Sequence, residues 1–172
     1  MIFTYIITQK IKENIRGIFL SVNEKGIPVD FKYTEAVEVE KYQKYIFGDT
    51  LDKYLKLNVL LDKYFKTIDF NIDYILVRDE DFLEYEDFDN VVWISGTDEE
   101  PLESAGEYRE IPGDNFLVQH SFSGNPTKVR LKNTDLIKSF AEKFSQDKPH
   151  AISHHFDILE PFKRLDKVIE VI

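Results

Sequence analysis

GIFLSVNEKGIPVDFKYTEAVEVEKYQKYIFGDTLDKYLKLNVLLDKYF, residues 17–65, is the stretch whose reading decides the fold. In 17–23, Ile18, Leu20 and Val22 alternate with Phe19, Ser21 and Asn23; in 27–33, Ile27, Val29, Phe31 and Tyr33 alternate with Pro28, Asp30 and Lys32. A period of two on both sides of a short polar break predicts two half-buried antiparallel strands. The break ends in Gly26, the residue type that most readily takes the positive φ of a tight turn. Pro28 cannot donate to a ladder, which places it at a sheet edge or a strand start. From 42 onward the spacing becomes helical, with Tyr42, Tyr45 and Ile46 on one face and Leu51, Leu55, Leu60 or Leu61, Tyr64 and Ile68 on the next. Two helical pieces therefore meet at Gly48. Asp49 or Thr50 is expected to cap the second, about residues 50–67, which is long enough to cover a sheet.

Outward from this stretch, 2–8 (IFTYIIT) reads as a first strand, and its shortness and lack of a basic leader argue against a signal peptide. Residues 73–78 and 91–95 read as short buried strands, the former placed parallel to an earlier strand by the long helix before it. Between them, Phe82, Tyr85 and Phe88 form an apolar stripe in an acidic turn. Residues 96–114, rich in Gly, Pro and acids, read as a long loop. Residues 116–122 and 127–132 read as a hairpin. Asn133 or Thr134 is expected to cap a helix through about 145, and a closing helix carries Ile158, Phe162, Leu165, Ile169 and Ile172 on one face, with Pro161 in its first turn.

Composition bounds the function. The 172 residues, 42% hydrophobic and with no long linker, suit one domain, 1–172. Zero cysteines exclude disulfides and thiol chemistry, and point to the cytoplasm. No apolar run reaches the ~20 residues a membrane span needs. The net charge of −10 is concentrated: 79–110 holds 13 acids against Arg109 alone. Without a concentrated basic surface, no nucleic-acid partner is expected.

The run 17–31, the step Phe47-Gly48-Asp49-Thr50-Leu51 with Tyr54-Leu55, and Glu160-Pro161-Phe162-Lys163-Arg164-Leu165 near the end resemble an uncharacterised bacterial family. Its recurring features are a glycine-led strand, a G-x-P hairpin, an aromatic-Gly-x-Thr-Leu helix start and an E-P-F-basic-Arg helix. The resemblance covers roughly 60 residues in two blocks and implies no activity, cofactor or catalytic residue.

The candidate chemical groups are few. His150 and His154 would share a face if 150–155 were helical, and with His155 and Asp157 they are the candidate metal ligands, Glu160 offering a further oxygen. The H-E-x-x-H pattern is absent, so a polar linker whose imidazoles cap helix ends competes with that reading. The acids of 79–110 have no calcium-loop spacing and read as a solvated loop, or as a docking surface for a basic protein partner. A strand-strand-strand-helix-strand order also suits a ribonuclease-H-like nuclease, needing carboxylates in the first strand, the helix and the end of the fourth strand. Asp79 fits the last place, but the first strand offers only Thr4, Tyr5 and Thr8. Ser121 or Ser123 beside His120 lacks a nucleophile-elbow context, and three acids follow Gly96-Thr97 at once, which disfavours an anion there.

The expectation is an α+β fold, a mixed and largely antiparallel sheet with helices packed on it, profilin-like or roadblock/longin-like by analogy. The expected function is a non-enzymatic protein-interaction or regulatory module, expected as a homodimer, with no cofactor, no membrane contact and no assigned catalytic residue. The alternative is a small metal-dependent hydrolase built from His120, His150, His154 and nearby carboxylates.

Overall fold

The computed structural model describes residues 1–120 and 124–172. Three long strands, β1 (Ile2–Ile11), β2 (Asn14–Asn23) and β3 (Pro28–Tyr33), form an antiparallel meander. The β2–β3 turn is the expected one: Gly26 has φ +74° and its N–H donates to the Asn23 carbonyl at 2.9 Å. Helix α1 (Lys41–Phe47) ends at Gly48, where φ is +52°. A longer helical run follows: α2 (Leu51–Tyr54), a π-helical segment Leu55–Leu60, and α3 (Leu61–Phe65). The five-residue step from Leu55 to Leu60 is the sequence counterpart of the wide turn, since both leucines are buried. Thr50 does not cap this run; its hydroxyl donates back to the Phe47 carbonyl at 2.7 Å.

The chain then forms β4 (Tyr74–Val77), β5 (Val91–Ser95), β6 (Tyr108–Ile111), β7 (Asn115–Val118) and β8 (Thr127–Leu131), with α4 (Ile137–Glu142) and α5 (Glu160–Val168) closing it. One eight-stranded sheet results, in the order β3-β2-β1-β4-β5-β8-β7-β6. Strand β4 runs parallel to β1, and β5 parallel to β4; the other neighbouring pairs are antiparallel. This is the expected α+β class with a mixed sheet. Strand β6 lies inside what the sequence presented as a loop, because three of its four residues are exposed and show no apolar alternation. The expected hairpin is formed by β7 and β8, while Ser121, Phe122 and Ser123 fall outside the described residues.

Alternation along β1 separates two cores. Phe3, Tyr5 and Ile7 face α4 and α5, whereas Ile6 faces the α2–α3 run, with Phe19, Ile75 and Val77 beside it. Thr4 shares the helix side. Its hydroxyl bonds Ser21 Oγ at 2.7 Å, and Ser21 Oγ lies 3.0 Å from the Tyr64 hydroxyl, so these buried polar atoms satisfy one another. Tyr64 also stacks on Phe19 with ring centroids 4.1 Å apart. The helical run is thereby held across β1 and β2.

Candidate functional site

The end of β4 is where charge is packed most closely. The register Phe3↔Tyr74 to Ile6↔Val77 brings Thr8, two residues on, level with Asp79, on the side of the sheet that faces the helical run. Asp79 leaves the strand in extended geometry, and its Oδ1 accepts the Asp81 N–H at 3.0 Å, capping the short turn Glu80–Glu84. Its other oxygen meets Lys56, from the π-helical segment, at 2.6 Å; Asp81 Oδ2 meets the same ammonium at 2.8 Å. The Lys56 side chain is only 11% exposed. Burial pulls its pKa down, but the hydrogen bonds to Asp79 and Asp81 outweigh that, and the net shift is upward.

Around this pair the acids of the crossover are tied down rather than free. Lys53 bonds Glu84 at 2.8 Å, Arg130 pairs with Glu80 at 3.1 Å, and Lys132 donates to the Tyr85 carbonyl at 2.5 Å and the Phe88 carbonyl at 3.1 Å. Phe82 and Tyr85 of the apolar stripe are buried under the helical run. The first part of the acidic segment expected as a solvated loop is thus anchored to the helical run and to β8 through Asp79, Glu80, Asp81 and Glu84.

A metal-dependent nuclease site converges several carboxylates on one or two divalent ions. Here β1 contributes an uncharged threonine, the helix contributes an ammonium, and the inward carboxylate oxygens of Asp79 and Asp81 are already taken by it. These residues do not fit a divalent cation. Among the described residues no group of three or more His, Asp or Glu side chains is placed to hold one.

The histidines lie elsewhere. Residues 149–159 are not helical, so the four-residue spacing of His150 and His154 does not put them on one face. His150 has φ +58° and borders a hollow with Met1, Asp73 and Glu142. His154 and His155 are exposed and lie ring against ring at 3.8 Å, while Asp157 Oδ1 accepts the Leu159 N–H at 2.9 Å. His120 Nε2 lies 3.0 Å from the Asn125 carbonyl, and the Thr97 hydroxyl donates to the Pro126 carbonyl at 2.8 Å. The serines considered beside His120 fall outside the described residues.

A second feature is a groove of about 520 Å³ between β3 and the end of α3. The buried, mutually stacked Phe19 and Tyr64 underlie it, and Lys32, Lys63, Lys66 and Glu35 supply its charged lining. Lys32 donates to the Thr67 carbonyl at 2.6 Å and pairs with Asp30 at 3.4 Å, which anchors it. Lys63 and Lys66 are exposed and enter no ion pair among the described residues. On the other face of the sheet the Arg16 guanidinium lies over the Tyr33 ring, 5.6 Å from its centroid. Sequence reading missed this groove because its lysines come from a strand and two helical turns, never from one basic run. It missed Lys56 too, although a lysine framed by Leu55 and Leu57 in a leucine-rich helix was a visible signal.

No family model and no curated protein matches the chain. Among solved structures, it is similar to endonuclease V from Bacillus subtilis, with a TM-score of 0.52 and 11% identity over 98% of this chain and 81% of that one. A second similar structure is endonuclease V from Ciona intestinalis, in complex with a DNA containing an inosine followed by a ribo-adenosine, with a TM-score of 0.45 and 10% identity over 97% and 86% of the two chains. A third is Marinitoga piezophila Argonaute with guide RNA, with a TM-score of 0.41 and 15% identity over 82% and 24%. The first of these is a likeness of fold. It overturns the expectation of a non-enzymatic protein-interaction or regulatory module, because the sheet is shared with a nucleic-acid-cleaving enzyme. The exclusion of nucleic acid is corrected with it: that exclusion rested on the absence of a concentrated basic run in the sequence, whereas the fold gathers Lys32, Lys63 and Lys66 from separate elements. The profilin-like or longin-like analogy is not carried further.

Proposed function

We propose that the protein handles nucleic acid, holding a single strand in the groove between β3 and α3. The carrying observation is the groove itself, lined by three ammonium groups and one carboxylate. Strand binding of this kind rests on positive charge along the phosphates. The shared fold of an endonuclease supports the ligand class. The net charge of −10 opposes long-range approach, and the acids of 79–110 are gathered on one stretch of chain, so affinity is expected in the range of non-specific binders, a Kd of ~10⁻⁵–10⁻⁴ M at moderate salt.

The test is fluorescence anisotropy of a short labelled single strand against the protein at several salt concentrations. Three lysines at ~0.7 counterions each give a log–log salt slope of about −2, and replacing Lys63 and Lys66 together by Ala reduces it to about −0.7 with weaker binding. Binding that ignores both substitutions, or no binding at low salt, contradicts the proposal.

A further inference from the structure

We infer that Lys56 is a cation built into the chain at the junction of β1, the helical run and β4, so that the Asp79–Asp81 pair is closed to divalent metal and opens to it only when Lys56 is replaced. The inference rests on this junction alone and stands or falls separately from the groove.

The geometry accounts for each oxygen. Asp79 has one oxygen committed to the Asp81 N–H, which fixes the turn and aims the other at the helix. Asp81 aims its Oδ2 at the same point, and the two meet a single ammonium at 2.6 and 2.8 Å. A divalent ion placed there would need to gather six or more oxygens and displace Lys56 into water. The stem of Lys56 leaves the helix between Leu55 and Leu57, both buried, so the ammonium is delivered to the carboxylates by a packed helix and not by a loose surface chain. The π-helical segment is the local device: one extra residue in the turn swings position 56 relative to the buried leucines. The neighbouring charges reinforce this arrangement. Lys53 stands 3.9 Å from Asp81 and bonds Glu84, and Glu80 is held by Arg130, so no free carboxylate adjoins the pair to raise its demand for a metal.

The arrangement also predicts how to reverse it. Replacing the ammonium with a carboxylate sets three acids around one point, unstable alone and matched to a hard divalent ion. The experiment uses the full chain, with Mn²⁺ alone as probe, read by thermal unfolding and by electron paramagnetic resonance of free Mn²⁺. The native protein is expected to take up no Mn²⁺ at this junction and to keep its Tm within about 1 °C on adding the metal. Lys56→Glu is expected to melt lower without metal, to take up one Mn²⁺ and to gain about 4 °C or more once the ion is ~100-fold above its Kd, a gain lost when Asp79→Asn is added. Should Lys56→Glu not fold without metal, Lys56→Gln, close to isosteric and neutral, is expected to show the same Asp79-dependent gain. Mn²⁺ uptake by the native protein that disappears in Asp79→Asn overturns the inference. So does a folded Lys56→Glu or Lys56→Gln variant, verified by circular dichroism, that ignores the ion.

Discussion

Gly26 illustrates how much one residue can carry. Its φ of +74° is a left-handed conformation, and a Cβ added there would lie 2.5 Å from Phe156. Arg164 Nη1 also donates to its carbonyl at 2.8 Å, tying the β2–β3 turn to α5. Gly26→Ala therefore combines backbone strain with overpacking and is expected to cost about 3 kcal/mol, read as a lower urea midpoint at unchanged m-value. A loss below ~1 kcal/mol would show that the turn relaxes away from Phe156. The need for glycine was legible from the hairpin pattern, but its neighbour was not, since Phe156 belongs to an irregular segment far along the chain. A second residue-level case is Asp166, held below the usual carboxylate range by hydrogen bonds from Arg78, with burial opposing and the Arg78 charge adding to the shift. Its folded pKa is depressed, so the stabilisation is present above the unfolded value of 3.8 and is lost as pH falls through the folded one. Both partners are about half exposed, at 45% and 49%, which limits the pair to ~1 kcal/mol or less. Asp166→Asn should be slightly less stable than the native chain at pH 7 and converge with it as pH falls below 3.8 and through the folded pKa; a constant gap across that range would contradict the pairing.

At the scale of elements, the helical run 51–65 is fastened by Tyr64. Thr4 and Ser21 bond each other at 2.7 Å without its help, so Tyr64→Phe leaves them paired and is expected to cost only about 1 kcal/mol. Tyr64→Ala also removes the stack on Phe19 and a ring from the core, and is expected to cost about 3–5 kcal/mol. Equal losses in chemical denaturation would mean that the hydroxyl, not the ring, holds the helix. This run was the most legible element because its leucines recur with helical spacing over several turns. Helix α1 shows the opposite: Tyr42, Tyr45 and Ile46 read as an inward face, yet they are 61%, 77% and 74% exposed. Apolar spacing predicts that residues share a face, and does not say that the fold supplies anything to cover it.

Across the whole molecule, the sheet order and both sites depend on pairings between distant segments. The β2–β3 hairpin is local and was readable, whereas the tight β1–β2 turn was not, since 9–16 reads as a polar connection; the parallel placement of β4 and β5 follows from long-range register and was readable only in part. The search for a basic run misled because the fold draws its lysines together from separate elements. Asp79, Glu80, Asp81, Glu84 and Asp89 are met by Lys53, Lys56, Arg130 and Lys132 from other elements, while Lys32, Lys63 and Lys66 line the separate groove. The picture that results is a mixed sheet whose fold is similar to that of an endonuclease and whose carboxylate pair carries its own lysine; the proposed binding of a strand by the groove lysines needs no metal. The most direct measurement is the affinity of a labelled single strand in EDTA and in millimolar Mn²⁺, with strand length followed on a denaturing gel. The account predicts binding in EDTA that Mn²⁺ does not strengthen, weakened only as a competing counterion weakens it, and an intact strand. Binding that requires Mn²⁺, or cutting that disappears in Asp79→Asn, would contradict it.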